Sequence, residues 1–122
     1  MIVRCVNIFN EHTKEFQETS RSLTIGKEYI VLEVDVVTSR RVNYRLISDD
    51  GHTPALFNSK QFEIVNNKIP SNWIVYQIGE LLSFTAKSWS ELGFWEDYFN
   101  MVSEAIDTYE REKEFIFKES MS

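Results

Sequence analysis

The sequence predicts an α+β fold: a small antiparallel β-barrel over about residues 1–79, with a helical segment over about 90–118 packed on it. Three observations predict it. Short runs of β-branched and aromatic residues alternate with polar turns through the first 65 residues. Apolar residues then recur at 92, 95, 98, 99, 102, 105, 106 and 109, which is helical spacing. Between these regimes lies Gly-Phe-Trp-Glu-Asp-Tyr-Phe-Asn at 93–100, where four aromatics surround two acids. A cluster so rich in aromatic area has to dock on something or bind something. The 122 residues suit one domain with one core, and no repeat or linker divides them.

The elements follow in order. Ile2 to Ile8 is β-branched enough for a strand. Residues 10–22 are polar and predict a long loop around one buried anchor, Phe16. Lys27 to Val37 is the strongest strand, with Ile30, Leu32, Val34 and Val36 on one face and Tyr29, Val31, Glu33 and Asp35 on the other. Thr38 to Arg41 is a polar turn, and Val42 to Ser48 returns as a strand. Asp49-Asp50-Gly51 signals a tight turn, with Gly51 free to take positive φ. Thr53 to Phe57 is short, and Pro54 fits an edge position or an irregular pairing. Residues 58–61 predict one 3₁₀ turn, Phe62 to Val65 a strand, and Trp73 to Ile78 another extended run. Leu81 to Ser88 looks irregular. Ser88 or Ser90 can cap the helix, Gly93 can delay its start, and Asn100 can split it in two. Phe115-Ile116-Phe117 ends the amphipathic pattern and should fold back on the body. Five strands in this order, with a long loop after the first, a meander and a 3₁₀ turn before the last, fit an SH3-like barrel.

Charge is unevenly spread. Residues 1–89 hold ten basic and ten acidic side chains, whereas residues 90–122 hold three basic and nine acidic, so the whole net charge of −6 falls in the last stretch. Such a segment repels phosphate backbones and attracts basic proteins, so a nucleic-acid partner is not expected. Nor is a membrane partner: the longest uncharged candidate, Ile69 to Gly79, has 11 residues and includes Pro, Ser and Asn. A single cysteine and no secretory leader favour the cytoplasm.

Few residues point to catalysis. His12 and His52 lack partners at metal-ligand spacing, and Asp49-Asp50-Gly51-His52 lacks the alternating oxygens of a calcium loop. Gly26, Gly51, Gly79 and Gly93 are isolated, so no phosphate loop forms. Cys5, in a strand, is expected to be a buried small hydrophobe. The adjacent Glu96 and Asp97 diverge on a helix and suit a solvated face better than acid–base chemistry. The pair Arg40 and Arg41 is too small for a nucleic-acid footprint. The expectation is a non-enzyme with no metal and no cofactor. Tyr29, Tyr44, Trp73 and Tyr76 could instead form an aromatic groove, which keeps open a peptide-binding or regulatory module.

Leu-Thr-Ile-Gly-Lys-Glu-Tyr-Ile-Val-Leu-Glu-Val at 23–34, Tyr-Arg-Leu-Ile-Ser-Asp-Asp-Gly at 44–51 and Phe-Glu-Ile-Val at 62–65 resemble a group of small bacterial SH3-like barrel proteins. Ile-Pro-Ser-Asn-Trp at 69–73 and the 93–100 stretch extend the likeness. The group includes immunity proteins of polymorphic and contact-dependent toxin systems. The resemblance implies a cytoplasmic protein that binds and neutralises a cognate toxin domain, for instance a nuclease with a basic groove. Glu96, Asp97, Asp107, Glu110 and Glu114 would then supply charge, and Trp89 with parts of the 10–22 loop would supply anchors. A homodimer through an edge strand or the last helix is left open.

Overall fold

A computed structural model of the protein describes residues 1–37 and 41–121. The turn expected at 38–41 therefore lies, but for Arg41, outside the described residues, as does Arg40. The architecture is mixed α+β, with antiparallel sheets and a C-terminal helix.

Strand β1 (Ile2–Cys5) is shorter than expected, and Ile8–Asn10 is a separate strand, β2. It pairs with β3 (Glu15–Gln17) as a hairpin, where the sequence suggested a loop. Phe16 is not the buried anchor of that segment: its ring is 61% exposed and leans on Phe9 at 5.3 Å. The single strand expected over 27–37 is two, β4 (Glu28–Ile30) and β5 (Glu33–Val37). The break falls at Val31-Leu32, both fully buried. There the chain leaves one sheet for another, so neither residue can follow a simple in–out alternation. Val31 N–H donates to the Met1 carbonyl and Leu32 N–H to that of Arg45, holding the crossing in place.

β4, β1 and β8 (Phe62–Asn66) form a three-stranded sheet, with β1 in the middle. The five-stranded sheet runs β7-β6-β5-β10-β9. Its members besides β5 are β6 (Arg41–Ile47), β7 (Pro54–Asn58), β9 (Trp73–Ile78) and β10 (Leu81–Ala86). β7 lies at the edge and starts at Pro54, whose missing N–H costs no ladder bond there. Asn58 caps the 3₁₀ turn Ser59–Gln61 by accepting from Lys60 N–H. The stretch expected to be irregular is β10, a central strand paired to β5 and β9 and entered through the Gly79-Glu80 turn. In the β6–β7 turn the left-handed residue is His52, with φ 55°, not Gly51. Gly51 matters there for space, because a Cβ would meet Ser48 Oγ and Thr53 Oγ1 at 3.3 Å each.

A 3₁₀ turn, Lys87–Ser90, leads to α1 (Phe94–Phe99) and α2 (Ser103–Ser120). Neither serine caps α1; Gly93 does, at φ 80°, a conformation that a side chain would strain. Asn100 ends α1, so the segment is two helices. Phe115-Ile116-Phe117 continues α2 and lies on the body as expected, with Ile116 buried and Phe117 packed against the outer core.

Two cores result. An inner one lies within the strands, from Val3, Cys5, Ile8, Leu23, Tyr29, Val31, Tyr44 and Leu46. An outer one lies under the helices, from Leu32, Ala86, Trp89, Phe94, Ala105, Tyr109 and Ile116. Ser71 and Asn72 tie to Glu119 and Glu112, anchoring the far end of α2 to the loop before β9.

Candidate functional site

The helical segment carries the net charge, so the first question is which carboxylates reach solvent free of a cation. Glu96, Asp97 and Asp107 are exposed, and none pairs with a cation among the described residues. Glu110 and Glu114 are exposed as well but pair along α2, with Lys113 at 2.7 Å and Lys118 at 3.6 Å. Exposed pairs of this kind add little stability, but they neutralise local field.

At the α1–α2 junction, Phe94 N–H donates to the Glu91 carbonyl at 3.0 Å and Val102 N–H to that of Asp97 at 2.9 Å. These bonds set the turn before α1 and the start of α2 side by side. A shallow cavity of about 270 Å³ opens between them, lined by Glu91, Leu92, Phe94, Asp97, Val102 and Glu104, among others. The sequence counted Leu92 and Val102 in the helix's apolar stripe. Instead Leu92 is 99% exposed and Val102 is exposed too, because both lie outside the helices. The signal available in the sequence was Gly93 and Asn100, which break the helical period on either side of α1.

Two larger cavities spend their charges internally. One of about 420 Å³ lies between the β2–β3 hairpin and β6–β7; there Glu11 accepts from Asn58 at 3.1 Å and meets Arg41 at 3.3 Å. The other, of about 450 Å³, flanks α2 and contains the Glu110–Lys113 and Glu114–Lys118 pairs.

A third feature was not foreseen. Glu33 and Asp35, which alternate with Val34 and Val36 along β5, are buried, Glu33 to 3% exposure. Register explains the company they keep. Glu33 stands opposite Arg45 and Asp35 opposite Ser83, on the same face. Arg45 Nε donates to Glu33 Oε2 at 3.1 Å, and Thr85 Oγ1 donates to Glu33 Oε1 at 2.5 Å. Ser83 Oγ donates to Asp35 Oδ1 at 2.7 Å, and Arg45 Nη1 to the Pro54 carbonyl at 3.2 Å. The guanidinium also lies 4.0 Å from the Trp95 ring centre, a cation–π contact joining the sheet to α1. Burial pushes the Glu33 carboxyl up to about 7; Arg45 opposes that rise and Asp35 adds to it.

Trp89, expected as a surface anchor, is 1% exposed. Its ring stacks on Tyr109 at 5.5 Å and tilts against Trp95 at 5.4 Å, so it holds the outer core and cannot touch a partner. Trp95 is half-buried in that cluster and Phe99 is 52% exposed at its rim. Of the aromatics expected to form a groove, Tyr29 and Tyr44 are buried, and Trp73 packs between the two cores. Cys5 is buried; its thiol donates to the Asn7 carbonyl at 3.3 Å, and burial raises its pKa. His12 and His52 are exposed. No metal-holding cluster of three ligating side chains occurs among the described residues, and no helix there is long and apolar enough to cross a membrane. No family model, curated protein or solved structure matches this chain.

Proposed function

We propose that this chain is a non-enzymatic immunity protein that binds and neutralises a cognate bacterial toxin domain in the cytoplasm, partly through its acidic helical face. One observation carries this reading. The whole net charge of −6 resides in residues 90–122, and Glu96, Asp97 and Asp107 are exposed and form no ion pair among the described residues. A basic toxin domain, such as a nuclease with a cationic groove, is the partner such a face attracts. An SH3-like barrel is the scaffold in this reading. The excursion after β1, the β5-β6-β7 meander and the 3₁₀ turn before β8 support it, as does the return of β8 to β1. The alternative module with an aromatic groove is disfavoured by the burial of Tyr29 and Tyr44.

The test is coexpression with the toxin domain encoded by the adjacent gene, followed by association kinetics at rising salt. Growth should be rescued. The association rate should fall about tenfold or more between low and high salt, and fall further with Asp107→Lys and Glu110→Lys together. A rate indifferent to salt and to both reversals removes the acidic face from the function.

A further inference from the structure

We propose that the cavity at the α1–α2 junction is the docking site for a cationic protein surface. One aliphatic or aromatic side chain of that surface enters beside Phe94 and Val102, while flanking lysines or arginines meet Glu91, Asp97 and Glu104. For the partner's biological identity this rests on the toxin-inhibitor reading; the chemistry comes from the site itself. Three carboxylates and no cation line the cavity, in contrast to both larger ones, whose charges are already paired. Leu92 stands beside them at 99% exposure, held out by the turn that the Phe94–Glu91 hydrogen bond closes. A leucine in water gains by burial and three uncompensated acids gain by meeting a cation, so one complementary surface satisfies both. At about 270 Å³ the cavity is below the roughly 300–1,000 Å³ of sites that enclose small molecules, and it suits a single protein side chain. The carboxylates are not arranged as a metal cluster.

The experiment is an amide chemical-shift titration of the full chain with acetyl-Lys-Lys-Leu-Lys-Lys-amide. Two control peptides replace the leucine by glycine or the lysines by glutamate. Saturating shifts should centre on 92–94 and 102–105, and neither control should reproduce them. Leu92→Ser should weaken binding about tenfold, as loss of a central apolar anchor does. Its side chain is almost fully exposed, so its melting curve should match the parent's. Asp97→Lys with Glu104→Lys should abolish the shifts. Shifts centred elsewhere, equal binding of the glycine peptide, or unchanged affinity in Leu92→Ser would each overturn the proposal. Toxin binding that survives Leu92→Ser sinks this site but not the proposed function. Peptide binding here without inhibition of the adjacent toxin sinks the function but not the site.

Discussion

The inner and outer cores rest on opposite faces of the same strands, yet they are made of different material. Inside, Val3, Val31 and Leu46 meet in the ordinary way, apolar against apolar. Outside, β5, β6 and β10 offer Glu33, Asp35, Arg45, Ser83 and Thr85, all buried, with Trp95 of α1 against Arg45. Stability inside comes from area removed from water. Outside, the same gain from Trp89, Phe94 and Tyr109 has to offset the cost of burying charge. Polar atoms show the strain on that arrangement: Trp89 Nε1 and the Tyr109 hydroxyl are buried and find no hydrogen-bond partner among the described residues. The outer core is thus the more specific and the more fragile of the two.

Cutting into the outer core should have the largest effect. Trp89→Ala should cost about 3–5 kcal/mol, read from the urea midpoint, because the rings of Phe94, Trp95 and Tyr109 lose the indole they pack on. A cost below that of Ile→Val in an ordinary core would mean that the helices are not part of the folded unit. Arg45→Met should cost about 3–5 kcal/mol at pH 8, where it strands the Glu33 carboxylate. At pH 5 the cost should be smaller, since Glu33 can then take up a proton.

Glu33 sharpens the contrast through pH. Its folded pKa, about 7, lies above its unfolded value of 4.5. Its contribution to stability is therefore full below pH 4.5 and is lost as pH rises through 7. The linked change is on the order of 3 kcal/mol. Glu33→Gln should remove that slope, so the difference between parent and variant urea midpoints should vary from pH 5 to 8. A constant difference would show that Glu33 does not titrate on folding.

Asp49 provides the inner-core counterpart and the smallest effect. Its carboxylate accepts from Lys27 at 2.5 Å, Thr24 at 2.7 Å and Tyr29 at 3.0 Å, pinning the β6–β7 turn to the start of β4. Asp49→Ala should cost about 1–3 kcal/mol by the same assay. A loss as large as that of Trp89→Ala would reverse the ranking of the two regions.

What could be foreseen follows the same division. Strands β6 to β9, the 3₁₀ turn after β7 and α2 were legible from local pattern, although β8 and β9 leave Ile64, Val75 and Ile78 exposed. β10 was not: Ser83 and Thr85 look like loop residues until two buried acids give their hydroxyls a purpose. Glu33 and Asp35 alternate cleanly with apolar neighbours along their strand, and nothing local announces that this face will be buried. Trp89, just before the acidic segment, looks like an anchor, and only the stacking on Tyr109 shows which way it points. At the candidate site, Asp97 was legible from charge. Glu91, Leu92 and Glu104 were not, because the break at Asn100 decides which residues the two helices bring together.

The covering of the sheet by α1 and α2 has a consequence during synthesis. The strands leave the ribosome first, and their outer surface waits for its lid as a row of hydroxyls, carboxylates and one guanidinium. Water hydrates that row well, so the half-made protein offers neighbouring chains little grease on this side. The ionic groups that burden the finished molecule shield the unfinished one from sticking to its neighbours.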